Sequence, residues 1–446
     1  MKATNYAFSF PLGDLKTGLT QPGVLLYNAF TSSLAAIEED KYKAYMDFCK
    51  DGASIEDNSL IEQLKLGGFL VEDGYNEKQE LKLRLLRSRF QTSSFGLTIA
   101  PTSDCNFRCV YCYEKDQLRP SYMSDEVMEK VVDLLRVRAG AIKTFSVTWY
   151  GGEPLLALNV IEKLSEQFMN ICDENKIQYF AGIVTNGSLL KRATVEKLNA
   201  LKVNFYQITV DGTRENHNRT RPFKGGGATY DIILNNIAEC YDLLPSVSLR
   251  VNVDKSSISA AEDIRSTLRA RGLDGKVKPY LGKITNDNND PALSTVCFTG
   301  QEFTSSLLDF WEADENKDEL WLGKYPAVKG NFCGADSQSS FVVDSDGLLY
   351  KCWSDIGKKG WAVGNILTGK QLNHEVAYRY MAFDPTENPD CSGCKYLPLC
   401  AGGCPYQRNA GNREECCTTY KYALEQFLRN AASAAIGLKS EQQARQ

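Results

Sequence analysis

Three closely spaced cysteines are the residues of this chain best suited to chemistry. Cys105, Cys109 and Cys112 form a CxxxCxxC pattern. Thiolates this close in sequence converge on one soft metal centre, and thiolates are the ligands that hold iron–sulfur clusters. Three ligands for a four-iron cluster leave one iron with an open position for a small molecule. A structural zinc site is the alternative, but zinc favours pairs of cysteines and needs a fourth ligand.

The cysteine motif resembles the signature of the radical S-adenosylmethionine (SAM) enzymes. It follows a predicted strand, and Tyr111 precedes the third cysteine. The resemblance implies that the open iron binds the amino and carboxylate groups of SAM. It also implies that an electron from the cluster cleaves SAM to a 5′-deoxyadenosyl radical, which removes a hydrogen atom from the substrate. The three cysteines are then catalytic, and Tyr111 is expected to lie beside the cofactor.

A GGEP turn after the second predicted strand resembles a SAM-binding element of the same family. Two glycines allow a backbone to approach a ligand closely, and a carboxylate accepts hydrogen bonds from an amino group. The resemblance implies that the backbone and the carboxylate of this turn hold the amino group of SAM. The turn consists of Gly151, Gly152, Glu153 and Pro154.

Polar residues at the ends of the next three predicted strands are expected to complete the SAM site. Asn186 and Ser188 belong to a TNGS sequence that resembles the family's element near the SAM ribose. Asp211 begins a DG sequence that resembles an element of the peptide- and protein-modifying branch. Arg250 and Asn252 alternate with valines, so both point to one face of the sheet. From the barrel interior they would reach SAM; a structural ion pair or hydrogen bond is the alternative.

A histidine and an arginine follow the DG sequence, as in that branch. His217 is one of only two histidines, and Asn218 follows it where the branch usually has aspartate. We therefore interpret His217 as a hydrogen-bonded loop anchor rather than a catalytic group.

A second set of cysteines occupies the C-terminal part of the chain. Its order, CX13GX4C, then CX2CX5CX3C, then a last cysteine, resembles the SPASM domain of radical SAM maturases. The resemblance implies two auxiliary four-iron clusters with interleaved ligands. One cluster takes Cys333, Cys352 and Cys404, and the other takes Cys391, Cys394, Cys400 and Cys417.

Two ligand assignments in this set each have an alternative. Cys417 fits the last position better than Cys416, because Cys417 leads directly into the closing helix. The first auxiliary cluster needs a fourth ligand upstream, and Cys297 is the nearby candidate. An open iron available to the substrate is the alternative.

Strands and helices alternate from Phe95 onward, which predicts a parallel sheet with helices outside. Six β-α repeats indicate an α/β protein with a partial (β/α)6 TIM-like barrel, short of the eight repeats of a full barrel. In such folds the active site lies at the carboxyl ends of the strands, where the motifs fall. The predicted strands are Phe95–Ala100, Phe145–Tyr150, Tyr179–Thr185, Phe205–Val210, Val247–Val253 and Lys276–Leu281.

Residues 1–90 stand apart from the barrel and contain one cysteine. Their strands and helices resemble a small winged-helix-like domain that recognises the leader of a precursor peptide. Apolar strands near Tyr6–Pro11 and Val24–Phe30 are expected to offer an exposed edge to an extended leader. An ordinary extension packed on the barrel is the alternative. The predicted domains are leader recognition at 1–90, the radical SAM barrel at 91–283, a bridge at 284–330 and the SPASM domain at 331–446.

The composition limits the partners and the compartment. The chain has 446 residues, of which 43% are hydrophobic and 24% charged, as in an ordinary globular protein with a sizeable core. A net charge of −5 argues against a nucleic-acid partner, and no apolar run is long enough for a membrane span. Fifteen cysteines without an export signal indicate metal ligands in a reducing cytoplasm.

The function expected from the resemblance is a radical SAM maturase that installs thioether crosslinks in a ribosomally synthesised precursor peptide. Three [4Fe–4S] clusters and SAM are the implied cofactors. The implied partners are the precursor, bound through its leader, and a flavodoxin- or ferredoxin-type electron donor. Carbon–carbon cyclases, epimerases and anaerobic sulfatase maturases are alternatives of the same class, although the sulfatase maturases normally begin close to the cluster motif. An electron-transfer iron–sulfur protein is the alternative of another class.

Overall fold

The chain folds into two compact units, each assembled from segments that are distant in sequence. The computed structural model describes residues 1–17, 22–288 and 290–444. We name the units by their place in the chain. The terminal unit comprises Met1–Arg89, Gly300–Phe332 and Phe383–Gln446, and the central unit comprises Phe90–Thr299 and Cys333–Ala382.

The N-terminal part of the terminal unit is a small sheet with helices. In chain order its elements are β1 (Lys2–Ala3), β2 (Ala7–Pro11), β3 (Gly23–Asn28), β4 (Ser33–Glu38), α1 (Glu39–Asp51), α2 (Asn58–Leu66), β5 (Leu70–Val71) and α3 (Glu77–Arg89). Strands β2, β3 and β4 form an antiparallel sheet in that order, and β1 pairs with β5. The predicted strands near Tyr6–Pro11 and Val24–Phe30 are confirmed as β2 and β3, and β4 is an additional strand.

Strand β2 is an edge strand, and two of its outward carbonyls are occupied. The carbonyl of Ala7 accepts a hydrogen bond from Lys395 Nζ at 3.1 Å, and the carbonyl of Pro11 accepts one from Arg429. Strand β3 is central and pairs on both sides. Of the two strands expected to offer an edge, β2 is therefore one and β3 is not.

Strand β4 is the open edge of this sheet. The pairing register directs the backbone groups of Ser33, Ala35 and Ile37 toward β3, and it directs those of Leu34 and Ala36 outward. Among the residues that the structure describes, no hydrogen bond reaches the outward backbone groups of Leu34 and Ala36. Both side chains pack against a hydrophobic core, so the strand presents these backbone groups in a fixed conformation.

The central unit contains the predicted alternation of strands and helices. Its first elements are β6 (Ser94–Ile99), α4 (Asp125–Arg136), β7 (Thr144–Trp149), α5 (Leu158–Asn175), β8 (Gln178–Thr185), α6 (Arg192–Ala200), β9 (Val203–Thr209), α7 (Arg214–Thr220), α8 (Tyr230–Glu239), β10 (Val247–Val253), α9 (Ile258–Ala270), β11 (Val277–Lys283) and α10 (Pro291–Ser294). Strands β6 to β11 pair in parallel and in sequential order, which confirms the six predicted repeats.

The rest of the chain adds to both units in turn. The terminal unit gains α11 (Gly300–Glu312) and α12 (Lys317–Gly323). The central unit gains β12 (Ser340–Val343), β13 (Leu348–Tyr350), β14 (Gly364–Asn365), β15 (Lys370–Gln371) and α13 (His374–Met381). The terminal unit then gains α14 (Leu397–Cys400), α15 (Pro405–Asn409), α16 (Arg413–Cys416) and α17 (Tyr420–Ala444). No helix in the described parts of the chain is both long and apolar enough to cross a membrane.

The parallel sheet continues beyond the six repeats. Strand β12 pairs in parallel with β6, and β13, β14 and β15 follow as antiparallel neighbours, which gives a sheet of ten strands within the described residues. The sequence pattern predicts that the apolar repeats stop near residue 331. The short run Ser340–Val343 returns to the sheet because its two valines fit against the buried end of β6.

The N-terminal sheet and the C-terminal cysteine segment share one hydrophobic core. The ring of Phe8 lies 4.8 Å from the ring of Tyr396, centroid to centroid. Cys391 and Cys400 pack against the same core. The terminal unit therefore depends on both ends of the chain. The buried core side chains include Tyr6, Leu25, Tyr27, Leu81, Leu85, Leu397, Leu399, Leu424 and Leu428.

One face of the parallel sheet is covered by helices and the other is open. On β7, Phe145 is fully buried and its ring lies 5.0 Å from Phe168 of α5. The residue beside it, Ser146, is exposed. The open face also carries Phe180 of β8 and Phe205 of β9, which are 40% and 45% exposed. Accessible aromatic side chains on the open face of a sheet offer a surface to a ligand.

Candidate functional site

The three cysteines of the CxxxCxxC motif meet around one cavity. They lie on the loop between β6 and α4, at the carboxyl edge of the parallel sheet. Cys105, Cys109 and Cys112 line a cavity of about 260 Å³, and Gly151 and Gly152 form part of its wall. The structure thus brings the predicted cluster ligands and the GGEP glycines to the same place.

Backbone hydrogen bonds hold the cysteine loop against a segment more than a hundred residues away. The N–H of Val110 donates to the carbonyl of Thr220 at 3.0 Å, and the N–H of Lys224 donates to the carbonyl of Asn106 at 2.7 Å. The rings of Phe107 and Phe223 meet edge to face, 5.2 Å apart. These protein contacts hold the loop in its conformation.

The two glycines of the GGEP turn are needed where the turn touches the cysteine loop. The N–H of Glu153 donates to the carbonyl of Asp104 at 2.8 Å. A Cβ on Gly152 would lie 2.1 Å from that carbonyl oxygen, and Gly151 has a φ of +103°, which favours glycine. From the sequence, the glycines are expected to let the backbone approach a ligand. In the structure they let the GGEP turn approach the backbone carbonyl of Asp104, the residue before Cys105.

The thiols of the motif are buried and near one another. Burial and the nearby Glu153 carboxylate raise the pKa of the Cys105 thiol to about 12, although the N–H of Phe107, which donates to the sulfur at 3.4 Å, acts to lower it. Burial also raises the pKa of Cys112, as do Glu114 and the neighbouring thiols. A cationic metal centre reverses this effect because it binds the thiolate form. The site therefore fits an iron–sulfur cluster.

The three thiols line one cavity. In the described part of the chain, no three His, Cys, Asp or Glu side chains stand close enough to hold one metal ion. In a four-iron cluster each cysteine would bind a different iron.

Glu153 joins the ends of β7 and β8. Its side chain is fully buried and accepts hydrogen bonds from Thr185 Oγ1 at 2.7 Å and from the N–H of Asn186 at 2.8 Å. It also accepts one from the N–H of Leu155, and Pro154 begins the short turn there. Burial raises the pKa of this carboxyl, while the hydrogen bonds lower it.

The TNGS sequence contacts the cysteine loop through one asparagine. Asn186 Nδ2 donates to Asn106 Oδ1 at 2.8 Å, and Asn106 Nδ2 donates to Ser188 Oγ at 2.9 Å. Ser188 Oγ donates in turn to Asn186 Oδ1 at 2.7 Å. Asn106 lies inside the CxxxCxxC motif, so this network ties the end of β8 to the loop that carries the thiols.

Tyr111 is the centre of a buried polar network. Its hydroxyl donates to Asp211 Oδ2 at 2.6 Å and accepts hydrogen bonds from Arg221 at 2.8 Å and from Asn252 Nδ2 at 2.9 Å. Burial raises the pKa of Asp211, while Arg221 and the hydrogen-bond donors lower it. Arg250 Nε donates to Asn252 Oδ1 at 2.6 Å, which extends the network along β10. Four of the predicted cofactor-binding residues thus form one connected set.

His217 is a neutral, fully buried anchor. Its Nδ1 accepts the N–H of Asp211 at 3.0 Å, and its Nε2 lies 3.0 Å from the hydroxyl of Thr229. Burial and, to a smaller extent, the charge of Arg221 together lower its pKa to about 2. The histidine therefore holds the loop after β9, in agreement with its interpretation from the sequence.

Several residues of this site were not predicted. Arg221 reaches the Tyr111 hydroxyl, whereas Arg219 bonds only to the nearby Asn216 at 2.7 Å. Glu114 is buried, lines the cysteine cavity, and has its pKa raised by burial to about 7. Glu114 could have been identified from its position two residues after the last cysteine of the motif. No feature of the sequence identifies Arg221 as a residue of the site.

The cysteines of the C-terminal set are divided between the two units. Cys297, Cys333 and Cys352 belong to the central unit, and Cys297 N–H donates to the carbonyl of Leu293 at 3.1 Å. In the terminal unit, burial and three neighbouring thiols together raise the pKa of Cys400 to about 12. Those neighbours are Cys391, Cys394 and Cys417, so four of the predicted ligands come together.

The segment that forms the parallel sheet and carries the three thiols matches a known protein family. Residues 99–268 match the family model described as Radical SAM superfamily, and the chain carries a radical SAM domain. It is 23% identical over 367 residues to a cysteine-type anaerobic sulfatase-maturating enzyme of Clostridium novyi, covering 75% of this chain and 96% of that protein. It is 24% identical over 245 residues to the radical SAM cyclopropyl synthase TigE of Paramaledivibacter caminithermalis, covering 48% and 49%.

Solved structures share the fold. Native anSMEcpe with bound AdoMet and Cp18Cys peptide aligns with a TM-score of 0.58 at 22% identity, over 76% of this chain and 99% of that chain. Streptococcus suis SuiB aligns with a TM-score of 0.51 at 15% identity, over 93% of this chain and 98% of that chain. The radical SAM domain implies a [4Fe–4S] cluster and SAM, and the three thiols that would bind the cluster line one cavity.

Proposed function

We propose that this protein is a radical SAM maturase that installs thioether crosslinks, from a cysteine sulfur to an acceptor carbon, in a ribosomally synthesised precursor peptide. The proposal rests on one observation: the same chain has both a radical SAM cavity and a sheet edge that is open to a peptide. A radical SAM cavity lies in the central unit, and an open strand edge shares the core of the terminal unit with a second cysteine set. The names of the relatives, a sulfatase-maturating enzyme and a cyclopropyl synthase, support a maturase.

Each residue of the site has its own expected role in binding SAM. When bound, the cluster and SAM would supply the radical chemistry, and an auxiliary cluster would supply an electron acceptor. Glu153 Oε2, which accepts one protein hydrogen bond, would offer a further acceptor position to the SAM amino group. Asn186 and Ser188 would contact the ribose. Arg250 and Asn252 would complete the SAM site from β10.

The leader of the precursor pairs with β4 as a fourth strand. An extended peptide that adds to an open edge gains main-chain hydrogen bonds, and the outward groups of Leu34 and Ala36 supply them. Ala36→Pro removes one outward N–H, which an edge strand tolerates because that N–H bonds nothing inside the sheet. We expect the affinity for the precursor to fall about tenfold or more, about 1.4 kcal/mol. Uncoupled cleavage of SAM should not change.

Ala36→Ser is the matched control for this edge, since it keeps the N–H and the small side chain. Affinity is measured by fluorescence anisotropy with the precursor peptide encoded beside this gene. Equal affinities of Ala36→Pro and Ala36→Ser would contradict leader binding at β4. A reducing cytoplasm, with a flavodoxin- or ferredoxin-type donor, is the setting we propose for the reaction.

Mass spectrometry of the product tests the bond itself. A thioether makes the precursor lighter by two hydrogen atoms and leaves the crosslinked cysteine unreactive toward iodoacetamide. A product with the same mass loss but a free thiol would instead be a carbon–carbon crosslink, and a product of unchanged mass with an altered residue would be an epimer. An intact precursor, with no 5′-deoxyadenosine formed from SAM, would leave electron transfer as the function.

A further inference from the structure

Two glycines on the open face of the parallel sheet leave room for large side chains beside them. A Cβ on Gly182 of β8 would lie 3.0 Å from Cδ1 of Phe205, and a Cβ on Gly282 of β11 would lie 2.6 Å from Nε of Arg250. Phe205 belongs to β9 and therefore leans toward β8, whereas Arg250 belongs to β10 and leans toward β11. The two side chains leave the line where β9 and β10 meet uncovered between them.

Gln207 of β9 lies on this face, along the uncovered line. It follows Phe205 by two residues, so both side chains point the same way, and its register partner on β10 is Ser248. Its Oε1 accepts a hydrogen bond from the hydroxyl of Tyr280 on β11 at 2.8 Å. The guanidinium carbon of Arg250 lies 6.0 Å from the centroid of the Tyr280 ring, which holds that ring in place. The Gln207 amide is thus fixed in one orientation.

The fixed amide of Gln207 has a donor left over. Because Oε1 is turned toward Tyr280, Nε2 is turned away from it, and Nε2 makes no hydrogen bond within the part of the chain that the structure describes. The side chain is only partly buried, and Nε2 is not among the buried polar atoms that lack a partner. An accessible amide N–H in a fixed position can donate to an oxygen of a ligand.

This donor lies near the residues expected at the SAM site. Arg250 pairs in register with Thr209, two residues beyond Gln207, so Gln207 lies about 6.6 Å further from the carboxyl edge of the sheet. Arg250 Nε donates to Asn252, and Asn252 donates to Tyr111 of the cysteine loop. Consecutive residues of an extended peptide are about 3.3–3.6 Å apart. A peptide with one carbon at the carboxyl edge therefore has a carbonyl two residues away within reach of Gln207.

We propose that Gln207 holds the core segment of the precursor by donating a hydrogen bond from Nε2 to one of its amide carbonyls. Tyr280 is a positioning residue that orients the Gln207 amide. The ring of Phe205 offers an apolar surface to the peptide side chain beside that carbonyl. The inference rests on the proposed function, since it assigns a subsite to the peptide of that reaction.

The ratio of modified precursor to 5′-deoxyadenosine tests this contact in the full-length, anaerobically reconstituted protein. Gln207→Leu should lower the ratio about fivefold or more, as expected for one lost hydrogen bond, since SAM is then cleaved more often without modification of the peptide. Gln207→Glu keeps an acceptor for Tyr280 but has no donor when ionised, so it should lower the ratio as well. Tyr241→Phe removes a hydroxyl just after α8, away from this face, and should keep the wild-type ratio.

Tyr280→Phe separates positioning from contact. It leaves Nε2 in place but allows the amide to turn, so the ratio should fall less, by about two- to threefold. Because Tyr280 acts through Gln207, the double variant Gln207→Leu, Tyr280→Phe should lose no more than Gln207→Leu alone. Losses that multiply in the double variant would overturn the positioning role of Tyr280. Wild-type ratios in both Gln207→Leu and Gln207→Glu would overturn the contact itself.

A precursor in which every Asn and Gln of the core is replaced by Ala distinguishes the two sources of the carbonyl. If Gln207 binds a main-chain carbonyl, Gln207→Leu lowers the ratio with this precursor too. If it binds a side-chain carbonyl, Gln207→Leu has no further effect on this precursor. Both results support carbonyl binding at Gln207, provided that the unaltered precursor responds to Gln207→Leu.

The failure of this subsite and the failure of the proposed function give different results. A carbon–carbon crosslink in place of a thioether would overturn the proposed bond, but the ratio would still test Gln207. A wild-type protein that leaves the precursor unmodified would overturn both. A wild-type protein that forms the thioether, with unchanged ratios in the two Gln207 variants, would overturn the subsite alone.

Discussion

The hydroxyl of Tyr111 donates a 2.6 Å hydrogen bond to the carboxylate of Asp211, one hundred residues further along the chain. The same hydroxyl accepts hydrogen bonds from Arg221 and Asn252. Tyr111 stands between the second and third cysteines of the motif. One phenol thus ties the cysteine loop to the carboxyl ends of β9 and β10.

Tyr111→Phe should loosen this attachment without removing the ring. The substitution leaves Asp211, Arg221 and Asn252 without their shared partner in a buried site, which should cost about 1–3 kcal/mol of the free energy of unfolding. We also expect weaker binding of SAM. Tyr113→Phe is the control, since Tyr113 lies on the same loop but bonds to Tyr150. Wild-type stability and SAM affinity in Tyr111→Phe, measured by denaturant unfolding and equilibrium binding, would contradict the role of this network.

Gly152→Ala should disrupt the contact between the GGEP turn and the cysteine loop. The new Cβ would meet the carbonyl oxygen of Asp104 at 2.1 Å, so the backbone must shift. We expect a loss of about 1–3 kcal/mol of stability, as for other overpacked sites, and slower cleavage of SAM. Gly140 faces open space, so Gly140→Ala is the control and should change stability by less than about 0.5 kcal/mol. Equal effects of the two substitutions would count against the close contact.

His217 should stay neutral across the physiological range of pH. Because its pKa is lowered to about 2, the folded chain binds no proton there between that value and the ordinary value near 6.5. The unfolded chain does bind one, so this histidine makes the free energy of unfolding fall as the pH drops below about 6.5, by up to about 1.4 kcal/mol per pH unit.

NMR of protein with labelled histidine checks this directly, because the chain has only His217 and His374. The His217 resonance should not move between pH 5 and pH 8, and His374→Gln identifies which signal is which. A midpoint near pH 6.5 for His217 would show that the ring is not held between Asp211 and Thr229.

Removal of the first 90 residues should unfold the terminal unit. The sequence suggests that a chain starting at Gln91 still cleaves SAM, since the motifs lie beyond Phe95. The structure places residues 1–89 in one core with Leu397, Leu424 and Leu428, so the deletion exposes a large apolar surface. We expect aggregation and the loss of the C-terminal cluster of Cys400, measured by gel filtration and iron analysis. A soluble monomer with the full iron content would contradict the shared core.

The elements that follow one periodic pattern were predictable, and the long-range pairings were not. Alternating apolar runs gave β6 to β11, because each strand buries one face against helices. Strand β4, with the sequence SLAAIE, lacks the polar–apolar alternation of a typical strand and has only one β-branched residue, Ile37. Strand β4 forms because it pairs with β3, and the local sequence does not indicate that pairing.

In the site, too, some residues were predictable from the sequence and their long-range partners were not. The residue types at strand ends identified Glu153, Asn186 and Asp211, because cofactor-binding groups gather at the carboxyl edge of a parallel sheet. Their partners were hidden, since Arg221 reaches Tyr111 only after the chain between them has folded. The capping of β2 by Lys395 and Arg429 is likewise a product of tertiary structure.

The most direct test of the account is the triple variant Cys105→Ala, Cys109→Ala and Cys112→Ala in anaerobically reconstituted protein. The measurement is 5′-deoxyadenosine formed from SAM, together with iron content. Cys172→Ala, which changes a buried cysteine of α5, is the control and should keep both. The account predicts that the triple variant loses about four irons and all cleavage of SAM. Cleavage at the wild-type rate in the triple variant would contradict the assignment of these cysteines as the catalytic centre.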